Sequence, residues 1–133
     1  AWRVTVPGEA TGVRAVFEPG TAAPLGVLFV CAHGAGSDMD HPEMLATSAA
    51  LRAVGFDVAR FNFVYRELGS RRPDPMPRLV RCVEAVAAHV RDAVRPRRLV
   101  LGGRSMGGRA ASMLLAERAL ACDGLLLLAY PLH

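Results

Sequence analysis

At 133 residues the chain is the size of one domain, long enough to bury roughly two thirds of its unfolded surface in a single core. Hydrophobic residues make up 52% and charged residues 21%, the balance of a soluble globular protein, and no apolar run approaches the ~18 residues that a membrane span needs. The net charge is +4, from 16 basic residues, all Arg, scattered among 12 acids; with no basic stripe and no interleaved aromatics, nucleic acid is not an expected partner.

The opening stretch AWRVTVPGE lacks a basic-then-apolar signal pattern, which sets a cytoplasmic expectation. Residues 3–6 and 13–17 are short strand candidates joined by a Pro-Gly turn, suited to an antiparallel hairpin at a sheet edge. Residues 25–32, LGVLFVCA, form a continuous apolar run with β-branched members, the mark of a central strand covered on both faces. A Gly/Ser/Asp loop follows over 33–40. Asp40 is the expected cap of a helix with Pro42 in its first turn and Glu43 three residues after the cap. That helix is expected to reach about Val54, burying Met44, Thr47, Leu51 and Val54 on one face, with Gly55 stopping it.

Residues 57–63, DVARFNF, read as the next strand, and an Arg- and Pro-rich connection leads to Pro77. Leu79, Val83, Val86, Val90 and Val94 then recur at helical spacing over 77–94, which makes that stripe core and leaves His89 beside it at the surface. A strand over 98–102, a glycine-flanked serine, a helix to about Leu120 and a strand over 124–129 complete the pattern. Strands alternating with helices, the strands buried, predict a mostly parallel sheet with helices on both faces. The three cysteines, Cys31, Cys82 and Cys122, sit in apolar contexts without metal-ligand spacing and are expected to be reduced.

The stretch GGRSMGGR over 102–109 places Gly103-Arg104-Ser105-Met106-Gly107 between a buried strand and a helix, the context a G-x-S-x-G nucleophile elbow requires. A serine in a strained, left-handed conformation brings its neighbours two positions away against adjacent backbone, so those positions must lack bulk. The following helix then points its free amides and positive dipole end at an oxyanion on the attacked carbon. The same glycines fail the dinucleotide fingerprint, whose middle glycine falls on Arg104 or Ser105. They fail the phosphate loop as well, for want of a Lys after the last glycine. No cofactor is expected. His33-Gly34-Ala35-Gly36 follows the earlier central strand, so the amides of Ala35 and Met106 are the expected oxyanion hole. His33 itself reads as a structural histidine bonding loop backbone. Asp38, Asp40 and His41 match no standard metal-ligand spacing, and helix capping is the expected use of the acids.

The four segments AHGAGSDMDHP, FNFVYRELGSRRPDP, GGRSMGGR and AYPLH, in this order, resemble the α/β-hydrolase superfamily. Within it they are similar to the dienelactone-hydrolase-like branch, whose eukaryotic relatives are named for a testis-expressed protein and for a subunit of a chromatin acetyltransferase complex. The resemblance covers nearly the whole chain. It implies a three-layer fold with a mostly parallel central sheet, Ser105 as nucleophile, and hydrolysis of carboxylic esters or related acyl compounds.

In this fold the acid and then the histidine of the triad follow the serine. Glu117 falls on the helix after the elbow, and Asp123 precedes the last strand at the end of the sheet remote from Ser105. His133 lies past the carboxyl edge of that strand, on a segment that in relatives precedes two further strands bearing acid and base. The expectation is therefore a domain that stops short of those strands, with an open sheet edge that can support a homodimer. The connection after residue 63 is expected to overhang the serine, which makes Tyr65, Arg66, Arg104 and His133 candidate substrate contacts, with Arg71 and Arg72 adding positive charge. The alternative reading is a non-catalytic, hydrolase-like interaction module with the elbow kept for packing.

Overall fold

The computed structural model of the chain describes residues 1–117 and 122–128. One sheet of six strands runs in the order β1 (Trp2–Val4), β2 (Val13–Glu18), β4 (Asp57–Phe61), β3 (Val27–Ala32), β5 (Arg98–Arg104), β6 (Gly124–Leu128). The pairs β1–β2 and β2–β4 are antiparallel, whereas β4, β3, β5 and β6 run parallel. Helices α1 (Pro42–Ala53), α2 (Val64–Glu67), α3 (Met76–Val94) and α4 (Met106–Glu117) fill the connections.

The unbroken apolar run of β3 serves two cores at once. Its side chains alternate across the sheet: Leu28, Val30 and Ala32 join α3 and α4 on one face, while Phe29 and Cys31 meet Met44 of α1 and Val58 of β4 on the other. Burying a Leu, Phe or Val side chain stabilises by about 1.5–3 kcal/mol, so no position from Leu28 to Ala32 has a solvent face on which a polar residue costs little. The α3 stripe behaves as its spacing requires: Leu79, Val83, Val86 and Val90 are buried and Val94 is half-buried. Gly102 lies against the Leu126 carbonyl so closely that any side chain there would overlap β6, which fixes how tightly β5 and β6 pair.

Several boundaries and contacts depart from the sequence expectation. Val6 is buried but outside the ladder, and β1 starts at Trp2. The central strand begins at Val27 because the chain turns at Gly26, φ 74°, leaving Leu25 exposed. Only Met44 and Ser48 of α1 are buried, and Val54 is exposed; the Ser48 hydroxyl donates to Glu18 at 2.8 Å, which seats the helix through a polar contact where an apolar stripe was expected. Asp40 is not the cap. His41 takes that place, its Nδ1 accepting the Glu43 amide at 3.2 Å, and Asp40 instead pairs with Arg60 at 3.1 Å. The helix α2 stands inside a connection that carries no helical periodicity in sequence. His89 is half-buried, edge-on to Trp2 with ring centroids 5.6 Å apart. Cys31 and Cys82 are buried thiols, Cys122 is partly exposed, and all three are free. Among the described residues no helix is long and apolar enough to cross a membrane.

Candidate active site

At the carboxyl end of β5 the chain turns into α4 through Ser105, whose φ is 50°. A left-handed conformation costs a residue with a Cβ roughly 1–2 kcal/mol, and the surroundings hold it there. The Ser105 amide donates to the Leu128 carbonyl at 3.3 Å, and its carbonyl accepts the Arg109 amide at 3.0 Å as the first link of α4. Glycines two positions either side make the turn possible. A Cβ on Gly107 would stand 2.5 Å from the His33 carbonyl oxygen and 2.6 Å from that of Ala32, and one on Gly103 would run into the Ala32 carbonyl. Both glycines thus let the elbow press against the end of β3. Met106 opens α4, so its amide has no acceptor within the helix and lies at the positive end of the helix dipole.

The loop that leaves β3 passes directly beside the serine. A Cβ built on Gly34 would be 3.8 Å from Ser105 Cβ and 3.6 Å from the Arg104 carbonyl. His33 is fully buried, and both ring nitrogens are used: Nε2 accepts the Phe63 amide at 3.1 Å, so Nδ1 carries the proton and donates to the Gly34 carbonyl at 2.8 Å. Burial pushes its pKa down to about 4, against the smaller opposing effect of the Gly34 bond, so the ring is neutral near pH 7. The Gly34 carbonyl also accepts the Ser37 amide at 3.2 Å, and the Gly36 amide donates to the Tyr65 hydroxyl at 3.1 Å. Farther along, Asn62 Oδ1 accepts the Met39 amide at 2.8 Å, and Arg60 donates to the Met39 carbonyl. Among the described residues nothing bonds the amide of Ala35.

Arg60, Asn62 and Tyr65 therefore belong to the site's support. Two of them are polar residues inside the aromatic and apolar run VARFNF, which is the sequence signal that points to them; both are buried. Arg60 reaches Glu18 at 2.8 Å and Asp40 at 3.1 Å. The Glu18 carboxyl lies below its usual range because hydrogen bonds from Arg60 and Ser48 outweigh the opposing effect of burial.

A cleft of about 540 Å³ opens over the elbow, with Ser105 and Ala35 on its wall and Arg66, Arg71, Asp38 and Glu43 around it. None of the side chains lining it is a large apolar one. Arg66 donates to the Ser70 carbonyl at 2.9 Å and stands 3.5 Å from Asp38, while its Nε is buried without a hydrogen-bond partner. Arg71 is exposed. Arg104 is not on the cleft wall; it pairs at 3.2 Å with Glu43, which is. Tyr65 is buried behind the loop, not on the cleft wall, and Met106 is buried with its amide at the elbow. His133 lies outside the described residues. Glu117 is exposed at the far end of α4, and Asp123 accepts the Leu99 amide at 2.7 Å at the amino end of β5, remote from the serine as its sequence position implied. Asp38 accepts the Asp40 amide at 2.8 Å besides facing Arg66.

The fold that carries this arrangement is similar to those of known proteins. The alpha/beta hydrolase domain model matches residues 26–133. No curated protein matches the sequence. Among solved structures, XC6422 from Xanthomonas campestris, described as a lidless α/β serine hydrolase, is 26% identical with a TM-score of 0.78, over 98% of this chain and 61% of that one. An α/β serine hydrolase homologue from Coxiella burnetii is 20% identical with a TM-score of 0.80, over 98% of this chain and 62% of that one. Dienelactone hydrolase from Anabaena variabilis is 18% identical with a TM-score of 0.66, over 95% of this chain and 61% of that one. The chain thus spans about three fifths of the length of these structures. With the family match running through both the glycine loop and the serine turn, the chain belongs to the alpha/beta hydrolase domain family.

Proposed function

We propose that the chain carries the nucleophile and oxyanion hole of a serine hydrolase acting on carboxylic esters or related acyl compounds, within the dienelactone-hydrolase-like branch that its four sequence segments resemble. The observation that carries the reading is the 50° φ of Ser105 at the rim of a cleft whose other wall is the backbone of residues 34–36. In this reading Ser105 Oγ attacks the acyl carbon and its proton passes to a general base. The carbonyl oxygen takes up the electron pair and is held by the amides of Met106 and Ala35, a type of contact worth about 10²–10³ in rate per donor. The tetrahedral intermediate then expels the alcohol, which regains a proton, and water hydrolyses the acyl-serine ester.

The base is assigned to neither histidine near the cleft. His33 spends both nitrogens on backbone. His41 caps α1, its Nδ1 accepting the Glu43 amide, and it precedes the serine in the chain where the base of this fold follows it. Base and acid are therefore assigned outside the described residues, in the order serine, acid, histidine that this fold uses. Arg66, with an unused Nε–H, and Arg104 beside the serine are assigned to polar groups of the substrate; His133 keeps that assignment from its place in the sequence, and Tyr65 acts from behind the loop. The ligand is a small molecule and the setting cytoplasmic. Incubation with a fluorophosphonate probe and peptide mass spectrometry test the reading. Labelling at Ser105 is expected, slow without a base, and lost in Ser105→Ala. A full-length protein, base and acid included, that takes no label at Ser105 is instead an interaction module.

A further inference from the structure

We infer that Tyr65 is a positioning residue that aims the Ala35 amide at the oxyanion, an inference that rests on the reading of Ser105 as nucleophile. The Ala35 N–H lies in the same rigid peptide plane as the Gly34 carbonyl and points the opposite way. That carbonyl is anchored by two donors, His33 Nδ1 at 2.8 Å and the Ser37 amide at 3.2 Å. The next plane carries the Ala35 carbonyl and the Gly36 N–H, and its bond to a side chain is the one to the Tyr65 hydroxyl at 3.1 Å. Only the two soft dihedrals of Ala35 separate these planes, so rotation of the second strains the bonds that hold the first, and the Tyr65 bond adds to the hold on the Ala35 amide. Gly36 stands at φ 70°, a conformation open to glycine, so without the phenol the second plane has freedom to rotate.

The phenol is itself held rigidly. Its ring is stacked on Phe63 with centroids 6.4 Å apart and lies edge-on to His33 at 6.0 Å, and the Tyr65 amide donates to Asp74 Oδ2 at 3.1 Å. The residue is 2% exposed, so packing on all sides limits the movement of its hydroxyl. A hydroxyl fixed on a packed aromatic frame is what holding a catalytic amide within a few tenths of an ångström requires.

The test compares the full chain with Tyr65→Phe, reading fluorophosphonate labelling of Ser105 as a maximal rate and a half-saturating probe concentration, together with hydrogen exchange at Gly36. The expected result is a maximal labelling rate about tenfold lower, half-saturation within about twofold of the parent, and faster exchange at Gly36. An unchanged maximal rate overturns the inference, whatever happens to the melting temperature, and leaves the nucleophile reading standing. A parent chain that takes no label at all overturns that reading and this inference with it. Should Tyr65→Phe not fold, 3-fluorotyrosine at the same position keeps the shape while weakening the oxygen as an acceptor, and a smaller fall in maximal rate is expected.

Discussion

Ser105 is a residue whose backbone and side chain want different things. The left-handed φ of 50° disfavours any side chain, yet that conformation is what lifts the hydroxyl to the cleft. Ser105→Gly removes the Cβ and with it the strain, so the variant is expected to be more stable by about 1 kcal/mol while taking no fluorophosphonate label. Urea unfolding of parent and variant under identical conditions checks this; a destabilised Ser105→Gly protein would mean that the entropy glycine adds to the unfolded chain, with any bonding of the hydroxyl, exceeds the strain. The glycines flanking the serine were legible in the sequence because their demand is local. A bend this tight brings positions 103 and 107 against whatever lies beneath, and spacing alone says they must be small. What lies beneath, the carbonyls of Ala32 and His33, depends on β3 and β5 being parallel neighbours. Arg104 shows the same division: its place beside the nucleophile is plain in the chain, but its pairing with Glu43 brings together the end of β5 and the first turn of α1, 61 positions apart.

Between elements, His33 ties the end of β3 to the residues that leave β4, because its Nε2 accepts the Phe63 amide. Its pKa in the folded protein, lowered to about 4 by burial, lies below the ordinary 6.5. The folded state therefore binds fewer protons than the unfolded chain between these two values, and stability falls as pH drops from about 6.5 to about 4, then levels with respect to this group. The full effect is on the order of 3 kcal/mol. Chemical denaturation across that window is expected to show the slope, and His33→Gln to flatten it even if the variant is less stable throughout. The helix α2 was hidden from sequence reading for a related reason. Four residues provide no period to detect, and the element exists because Phe63, Val64 and Tyr65 find burial under the β3 loop. The cap of α1 shifted from Asp40 to His41 because Asp40 is drawn to the buried Arg60, an attraction across β4 that local capping rules do not include.

For the molecule as a whole, the order β1-β2-β4-β3-β5-β6 leaves β6 at one side of the sheet, with no partner on its outer edge among the described residues. Leu125 and Leu127 of that strand are 39% and 40% exposed. A strand edge that is unpaired among the described residues favours pairing with a second copy, so sedimentation of the 133-residue chain is expected to show association that rises with concentration. Leu125→Lys combined with Leu127→Lys is expected to weaken it. A monomer at all concentrations with cooperative melting would count against edge pairing. The alternation of strands and helices, the two-sided burial of β3, the α3 stripe and the glycine-framed serine could all be read from the chain, because periodicity and steric exclusion act over a few neighbouring residues. The support for the loop at 33–40 could not. It depends on Arg60, Asn62, Phe63 and Tyr65, which lie 20 to 30 positions away from the loop groups they bond, as with Arg60 and Asp40 or Phe63 and His33. Hydrogen bonds of that span exist only once parallel strands have set their register, and so it was the tertiary structure that decided which side chains hold the backbone around Ser105.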